Sequence, residues 1–336
     1  MEIKEINDEH EWERFVGIQE HSSILQSWRW GEVDALEKRP SINLLVIDRG
    51  EVVASSRINN IRLPFNFHYL YSPRGPVFKS TLDQNRKYQA LSFLCQSLKA
   101  KYPGAIFFRV DPALTDKEIS FYGEGFRKAN KEIQPRHTII LDVRESEEGI
   151  IGKMKPKARY NLRIAEKKGV KVLTARNEND VSKFFDLLKN TESRAGFRLH
   201  PKEHYLSLWR ALTPDHLKIY LAEINGSIIA AIMVSFYGNG AVYLHGGLSY
   251  EHRAYMAPYL LHWEAIKDAK KNGFSFYDLW GVAPQNAPAD HTWSGITRFK
   301  EGFGGEFLEY VGAYDYVYRP AWYKAFNMAR NIMRKL

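Results

Sequence analysis

Lys300 lies between Phe299 and Phe303 in the segment GITRFKEGFGGE (295 to 306), with Gly302, Gly304 and Gly305 close behind it. A lysine flanked by aromatic side chains is expected to be partly desolvated, and the glycines permit tight backbone geometry beside it, so its ammonium could stabilise a developing oxyanion. The bland alternative is an exposed lysine on a β-strand. Asp111 in RVDP and Asp278 in YDLWG end two corresponding strands. A carboxylate there either orients a nucleophilic amine or caps the strand-to-loop turn. His200 and His204, four apart in HPKEH, could share a helix face, but no third ligand is recognisable, so they read as surface histidines and no metal is expected. A Gly-x-Ser-x-Gly elbow, a Walker loop and a His-Glu-x-x-His helix are all absent from the sequence.

Residues 153 to 171, KMKPKARYNLRIAEKKGVK, hold eight Lys or Arg against the single acid Glu166. Lys153, Lys155, Lys157, Arg159 and Arg163, with Tyr160 among them, are candidate phosphate contacts; the alternatives are a solvated helix face and attraction to anionic lipid. The whole chain agrees in sign, since a net charge of +9 suits an anionic partner, whether nucleic acid, phosphorylated metabolite or membrane surface. The one cysteine, Cys95, sits in the apolar context FLCQSL, which excludes disulfide scaffolds, cysteine zinc sites and redox pairs. Apolar runs fall far short of the roughly 18 residues of a bilayer span, and Met1 to Asp8 is acidic with no apolar block after it. A cytoplasmic protein is therefore expected.

The elements that must position these residues come in two copies. With 336 residues and 44% hydrophobic composition, two domains are the starting expectation. NLLVIDRGEVVASSRI (43 to 58) reads as a hairpin turning at Arg49-Gly50, and KIYLAEINGSIIAAIMV (218 to 234) as a hairpin turning at Asn225-Gly226, at an offset of about 176. HYLYSPRG, a helix from about Asp83 to Lys101 and the strand AIFFRV follow the first; AVYLHGG, a helix from about Pro258 to Lys271 and FSFYDLW follow the second. Asn7-Asp8 and Asn179-Asp180 each offer cap residues ahead of an amphipathic run. Helix, antiparallel hairpin, strand, helix and strand is the order of the GNAT acyltransferase fold, so the fold class is α/β (α+β), two tandem GNAT-like domains with mixed sheets flanked by helices. The boundary is expected near Glu145 to Gly149, and Trp322 to Leu336 reads as a further helix with a basic outer face.

A GNAT enzyme that uses acyl-CoA cradles the pyrophosphate on backbone amides at a glycine-rich turn opening the main helix. The corresponding turn here is Arg253-Ala254-Tyr255-Met256-Ala257-Pro258, where Met256 would crowd the pyrophosphate and Pro258 has no N–H to donate. SPRGPVFK in the first copy lacks the motif as well, so CoA is not expected as donor.

LQSWRWGE (25 to 32), YSPRGPV (71 to 77), FRVDP (108 to 112), IQPRHTIILDV (133 to 143), the basic helix, YLHGG (243 to 247), YDLWGV (277 to 282) and above all RFKEGFGG (298 to 305) follow one another in an order that resembles the Fem-type (FemABX) peptidoglycan bridge aminoacyltransferases. The resemblance covers nearly the whole chain. It implies transfer of an amino acid from aminoacyl-tRNA to an amine of a UDP- or lipid-linked muramyl peptide, with no cofactor, at the cytoplasmic side and with peripheral contact at the inner membrane face. The family's Phe-Lys pair, implicated in stabilising the transition state, falls on Phe299 and Lys300. Its compact members bind the muramyl peptide with an arginine before a proline, a tyrosine shortly after and a tyrosine in a Tyr-x-Tyr strand. Those positions correspond here to His200, to His204 or Tyr205 depending on register, and to His245, while Arg198 stands two residues before His200. Arg74, Arg198, His200, Tyr205, His245 and Tyr255 are accordingly the expected acceptor contacts, in a cleft between the two copies. The family's architecture implies domain one at 1 to 145 plus 317 to 336 and domain two at 146 to 316. The rival readings are an N-acyltransferase with acyl-CoA or another small donor, and a non-catalytic RNA- or membrane-binding protein.

Overall fold

The computed structural model describes residues 1–121, 125–195 and 199–333. They form two compact units, residues 1–136 with 309–336 and residues 137–308.

The first unit runs β1 (Glu2–Glu5), α1 (Glu9–Val16), α2 (Trp28–Leu36), β2 (Ser41–Asp48), β3 (Glu51–Arg62), β4 (His68–Ser72), β5 (Val77–Phe78), α3 (Gln84–Lys101), β6 (Ala105–Val110) and β7 (Phe126–Lys128). The second runs β8 (His137–Asp142), α4 (Glu147–Lys153), α5 (Pro156–Lys167), β9 (Lys171–Thr174), α6 (Glu178–Ala195), α7 (Lys202–Leu212), β10 (Leu217–Ile224), β11 (Ser227–Tyr237), β12 (Gly240–Leu248), α8 (Ala257–Lys271), β13 (Phe276–Asp278), α9 (Ser294–Lys300) and β14 (Glu306–Glu309). The chain then completes the first unit with β15 (Tyr314–Val317) and α10 (Pro320–Met333).

The duplicated hairpins are present as expected, and their turns explain them. Arg49 and Gly50 have φ of 51° and 82°, and Asn225 and Gly226 have 48° and 79°. Positive φ at both central residues is the requirement of the two-residue turn whose twist matches antiparallel strands. The pairings β2–β3 and β10–β11 even slip by a bulge at corresponding places, Val46/Ile47 and Ala222/Glu223. In each copy the next strand pairs in parallel with the one after the main helix, β4 with β6 and β12 with β13. This is the mixed-sheet N-acyltransferase arrangement, twice.

In the first sheet the order is β1-β2-β3-β4-β6-β15-β7, and in the second β14-β8-β13-β12-β11-β10-β9. Strand pairing places the division differently from the expected 145 and 316. β8 pairs antiparallel with β13, Phe276 opposite Asp142, and so belongs to the second unit. β15 pairs with β6, Asp315 opposite Arg109, and so belongs to the first. That register is locked by a fully buried two-pronged ion pair, Arg109 Nε and Nη2 donating to the Asp315 oxygens at 2.7 and 2.8 Å, with the Tyr323 hydroxyl donating to Asp315 at 2.8 Å.

Local chemistry sets the helix starts. Asp8 accepts from Glu11 N–H and Asp83 from Arg86 N–H, the capping expected of those residues. At α6 the expected pair Asn179-Asp180 lies inside the helix instead. Asn177 caps it, accepting from Asp180 N–H at 3.1 Å, while the Asp180 carboxylate turns back to Arg176 N–H. On the outer face of α10, Ala321, Trp322, Ala325, Met328 and Ala329 are exposed with Lys324 among them, while Arg334 and Lys335 of the expected basic face lie outside the described residues.

In the second unit α4, α5 and α8 share one core with the sheet, which includes Leu162, Ala165, Ile232, Val234, Leu261 and Ile266. The chain segments α6 and α7 contribute nothing to that core and cover the other face. Gly247 on β12 is what lets α6 approach, since a Cβ there would lie 2.5 Å from the Leu187 carbonyl carbon and 2.7 Å from the Leu188 nitrogen. Backbone atoms cannot swing aside as a side-chain tip can. Gly247→Ala should therefore destabilise the protein by about 1–3 kcal/mol, the usual cost of overpacking, read as a lower urea midpoint at unchanged slope.

Candidate active site

Lys300 is the last residue of α9, not a strand residue, and only 4% of it is exposed. Its Nζ donates to the Gly281 carbonyl at 2.8 Å and stands 5.2 Å from the centre of the Tyr243 ring. An ammonium withdrawn from water needs such partners, because desolvation without them costs several kcal/mol. Burial still dominates: it pushes the Lys300 ammonium down to about 7, against the pull of the Asp278 carboxylate. His262, whose Nδ1 is 2.9 Å from the Tyr277 hydroxyl, is held down to about 3 by burial and by Lys300, so it is neutral and adds no competing cation. Phe299 closes the surroundings, its ring 5.0 Å from that of Tyr259, 5.5 Å from His262 and 5.3 Å from Phe303.

The acceptor carbonyl for Lys300 is placed by Asp278. This carboxylate receives Trp280 N–H at 2.6 Å and the Thr138 hydroxyl, bending the chain through Trp280 at φ 60° so that Gly281 O faces inward. Asp111 does the corresponding work in the first unit, accepting Arg74 N–H at 2.5 Å and the Tyr71 hydroxyl at 2.9 Å. Both aspartates thus have the turn-capping geometry. Burial raises the Asp111 carboxyl to about 7, opposed by Arg74.

The glycines after Lys300 fasten it to the basic segment. Lys155 N–H bonds to Gly302 O at 2.9 Å, its ammonium pairs with Glu301 at 2.8 Å, and a Cβ on Gly302 would meet the Ala158 Cβ at 3.2 Å. Gly304, at φ 81°, passes so near Lys153 that a Cβ would lie 2.7 Å from its carbonyl oxygen. Lysine and the start of the basic helix are thereby held side by side.

The basic segment itself divides. Lys153 pairs with Glu145 at 2.6 Å, Lys155 with Glu301, and Arg159 donates to the Gly152 and Met154 carbonyls. Lys157, Tyr160, Arg163 and Lys167, at helical spacings of three, three and four, are all exposed along one face of α5, with Tyr160 64% exposed. Lys167 belongs to this face although its neighbours drew the attention in sequence. Lys168 turns away to the Ala254 carbonyl at 2.8 Å and to the Tyr255 ring at 5.3 Å, at the turn where CoA would have to sit; Met256 there has φ 55°.

The expected acceptor contacts do not all come together. Tyr205 and His245 stack edge to face at 5.2 Å, with His200 6.4 Å from His245 and 4.3 Å from His204. Tyr255 lies by Lys168 instead, Arg74 belongs to the first unit with its guanidinium 4.5 Å from the Tyr310 ring, and Arg198 lies outside the described residues. A bulge separates Tyr243 from His245. His245 is opposite Met233 and Tyr243 opposite Val234, so Leu244 is an extra residue in β12. A period of two would put both rings on one face; instead Tyr243 meets His262 of α8, at 4.6 Å, while His245 meets Tyr205 of α7. Gly246 leaves room for Tyr243, since a Cβ there would be 2.4 Å from its hydroxyl. Tyr243, Gly281 and His262 were not singled out in sequence, although Tyr243 lies in YLHGG and Gly281 in YDLWGV. Among the described residues no group of three or more His, Cys, Asp or Glu is placed to hold a metal ion.

Burial of Lys300 has a measurable sign. Its value of about 7 in the folded chain lies below the ordinary 10.5, so between those pH values the unfolded chain holds the extra proton. The cost of burial is complete below pH 7 and fades as pH rises toward 10.5. Lys300→Met should be more stable than wild type, with the gap in urea midpoints widest at pH 6 and nearly closed at pH 10.

Comparisons with known proteins extend over the whole chain. The FemAB family model matches residues 8–133, 117–227 and 226–331. The lipid II:glycine glycyltransferase of Staphylococcus haemolyticus (strain JCSC1435) is 22% identical over 98% of this chain and 96% of its own. The UDP-N-acetylmuramoylpentapeptide-lysine N(6)-alanyltransferase of Weissella viridescens is 23% identical over 96% and 98%. The crystal structure of FemX superposes with a TM-score of 0.84 at 21% identity, covering 97% of this chain and 99% of that one. Two N-acyltransferase-type units, a buried lysine in RFKEGFGG and a matching family model along the length of both units together place this chain in the FemAB family.

Proposed function

We propose that this chain is an aminoacyltransferase that moves an amino acid from aminoacyl-tRNA to an amine of a peptidoglycan-precursor peptide. The observation that carries the reading is the buried Lys300 ammonium between the Gly281 carbonyl and the Tyr243 ring, fastened to a cationic helix face. The acceptor amine attacks the ester carbonyl, a C–N bond forms, and the C–O bond to the ribose breaks. The amine's proton ends on the ribose hydroxyl. Exchanging an ester for an amide is downhill, so the chemistry draws on neither ATP nor a metal. In the protonated form Lys300 offers its N–H groups to the carbonyl oxygen as negative charge gathers there, in surroundings too poor in water to screen it. Phe299 holds the stem in place through Tyr259 and Phe303.

The tRNA lies along Lys157, Arg163 and Lys167, with Tyr160 offering a ring on which an unpaired base can stack. The muramyl-peptide acceptor, which the relatives' names give as lipid- or UDP-linked, meets His200 and His245. Asp111 and Asp278 act on the amine only through the turns they cap. The rival CoA donor is disfavoured because Pro258, in the first turn of α8, has no N–H to donate to a pyrophosphate.

Incubation with charged tRNAs and muramyl peptides, followed by mass spectrometry of the peptide, tests the reaction. Lys300→Met should lower turnover by roughly 10²–10³-fold, the loss typical of one oxyanion donor. Relative to the weaker Lys300→Arg enzyme, whose profile carries the acceptor amine's own deprotonation, wild-type turnover should decline as pH rises through about 7, because the cationic form of Lys300 is lost there. A ratio of wild-type to Lys300→Arg turnover that instead rises through about pH 7 would make the neutral Lys300 amine a general base. Near-normal turnover by Lys300→Met would remove Lys300 from the mechanism, and tRNA binding by wild type without any transfer would leave a nucleic-acid-binding protein.

A separate measurement tests the helix face. Replacing Lys157, Arg163 and Lys167 by glutamine should weaken tRNA binding and reduce the slope of log affinity against log salt by about one unit for each phosphate deprived of its cation. The same exchange at Lys153 and Lys155, whose ammonium groups are paired with acids, should do less.

A further inference from the structure

The first unit exposes an apolar surface that its own packing does not explain. Phe65, in the turn joining β3 to β4, is 91% exposed and adopts φ 59°, followed by Asn66 at φ 59°. A bulky aromatic residue at positive φ is rare and costs about 1–3 kcal/mol, and full exposure returns no internal packing for it. The turn is closed by Leu63 N–H on the Phe67 carbonyl at 2.7 Å, and the Phe67 ring lies 4.2 Å from that of Trp322 at the start of α10. From there the outer face of α10 continues the apolar surface, with Trp322 43% and Met328 66% exposed and Ala321, Ala325 and Ala329 between and beside them. The inner face of the same helix is spent on the sheet, where Tyr323 is buried and Phe326 packs against Tyr69 and Phe107.

Charge decides what covers this face. Residues 61 to 68 and 319 to 333 contain Arg62, Arg319, Lys324 and Arg330 and not a single acid. A second copy laid symmetrically on the face would set cations against cations. Nucleic acid would satisfy the cations and leave the apolar stripe bare. We propose that the turn at Phe65 and the outer face of α10 form a membrane-interface patch that seats the first unit on a bilayer containing anionic phospholipid. Phe65 and Met328 enter the acyl boundary, Trp322 sits at headgroup level, and Arg62 and Lys324 meet lipid phosphates. No helix among the described residues is long and apolar enough to cross a membrane, so the contact is one of lying on the surface. The inference deepens the reading above, for which a lipid-linked acceptor would be met at such a surface, and it assigns the contact to a part of the chain remote in sequence from the basic segment 153 to 171.

Co-sedimentation of the full chain with phosphatidylcholine vesicles, alone and with about 30% phosphatidylglycerol, tests it. Binding is expected on the anionic vesicles. Phe65→Ser combined with Met328→Ser should weaken it about tenfold or more, and Arg62→Gln with Lys324→Gln about fivefold for each charge, on anionic vesicles only. These side chains are exposed, so the thermal midpoint should hold, and transfer to a soluble UDP-linked acceptor should match wild type. Wild type left in the supernatant, or the Phe65/Met328 variant binding as wild type does, overturns the proposal. Self-association without lipid that the same double substitution abolishes would give the face to a second copy and overturn it equally. Transfer and vesicle binding are read separately: soluble-acceptor transfer without vesicle binding removes the patch alone, and vesicle binding that the double substitution abolishes, with no transfer by wild type, removes the catalytic reading alone.

Discussion

A lysine ammonium kept out of water is the constraint around which the second unit is organised. Its solvation must be replaced, and the replacement is one carbonyl, one aromatic face and an aspartate acting at longer range. Each of these has a cost elsewhere. The Gly281 carbonyl faces inward only because Asp278 holds a bend through a tryptophan at positive φ. The Tyr243 ring reaches the site only because β12 carries an extra residue and Gly246 leaves space. The result is an ammonium poised near neutral pH, which is where a group must lie if small changes in its surroundings are to change its charge.

The same constraint explains the glycines that follow. Gly304 passes Lys153 at the end of α4 and Gly305 passes Ile140 of β8 so closely that a Cβ would lie 2.7 and 2.6 Å from their carbonyl oxygens. A cationic surface helix and a buried lysine are thus held together by backbone contacts, without depending on long flexible side chains.

Duplication supplied the scaffold, and the two copies differ in what their matching turns face. Both copies keep the turn, the bulge and the parallel pair, and both end the strand after the main helix in a buried aspartate that caps a turn. Only in the second does that turn present a carbonyl to a buried lysine. In the first, the strand carrying Asp315 is captured by Arg109, and the helix beyond it packs inward through aromatic residues while its other face stays apolar and open. The first unit is therefore the better candidate for contact with surfaces, the second for chemistry.

Most of the fold was legible in the sequence because its signals are local. Asn225-Gly226 and Arg49-Gly50 encode their turns in backbone conformation, Asp8 and Asp83 cap the helices they precede, and the offset of about 176 follows from comparing the chain with itself. Lys300 was legible as a lysine among aromatics, with a family pattern around it. What the sequence could not decide depends on partners distant along the chain. The assignment of β8 and β15 to their sheets is a matter of which edge each strand finds, settled by pairing with β13 and by a buried ion pair with Arg109. The separation of Tyr243 from His245 comes from one unpaired residue that no periodicity announces. Which lysines of the basic segment are paired with acids was fixed by Glu145 and Glu301, one before the segment and one 146 residues beyond Lys155, and such neighbours exist only once the chain has folded.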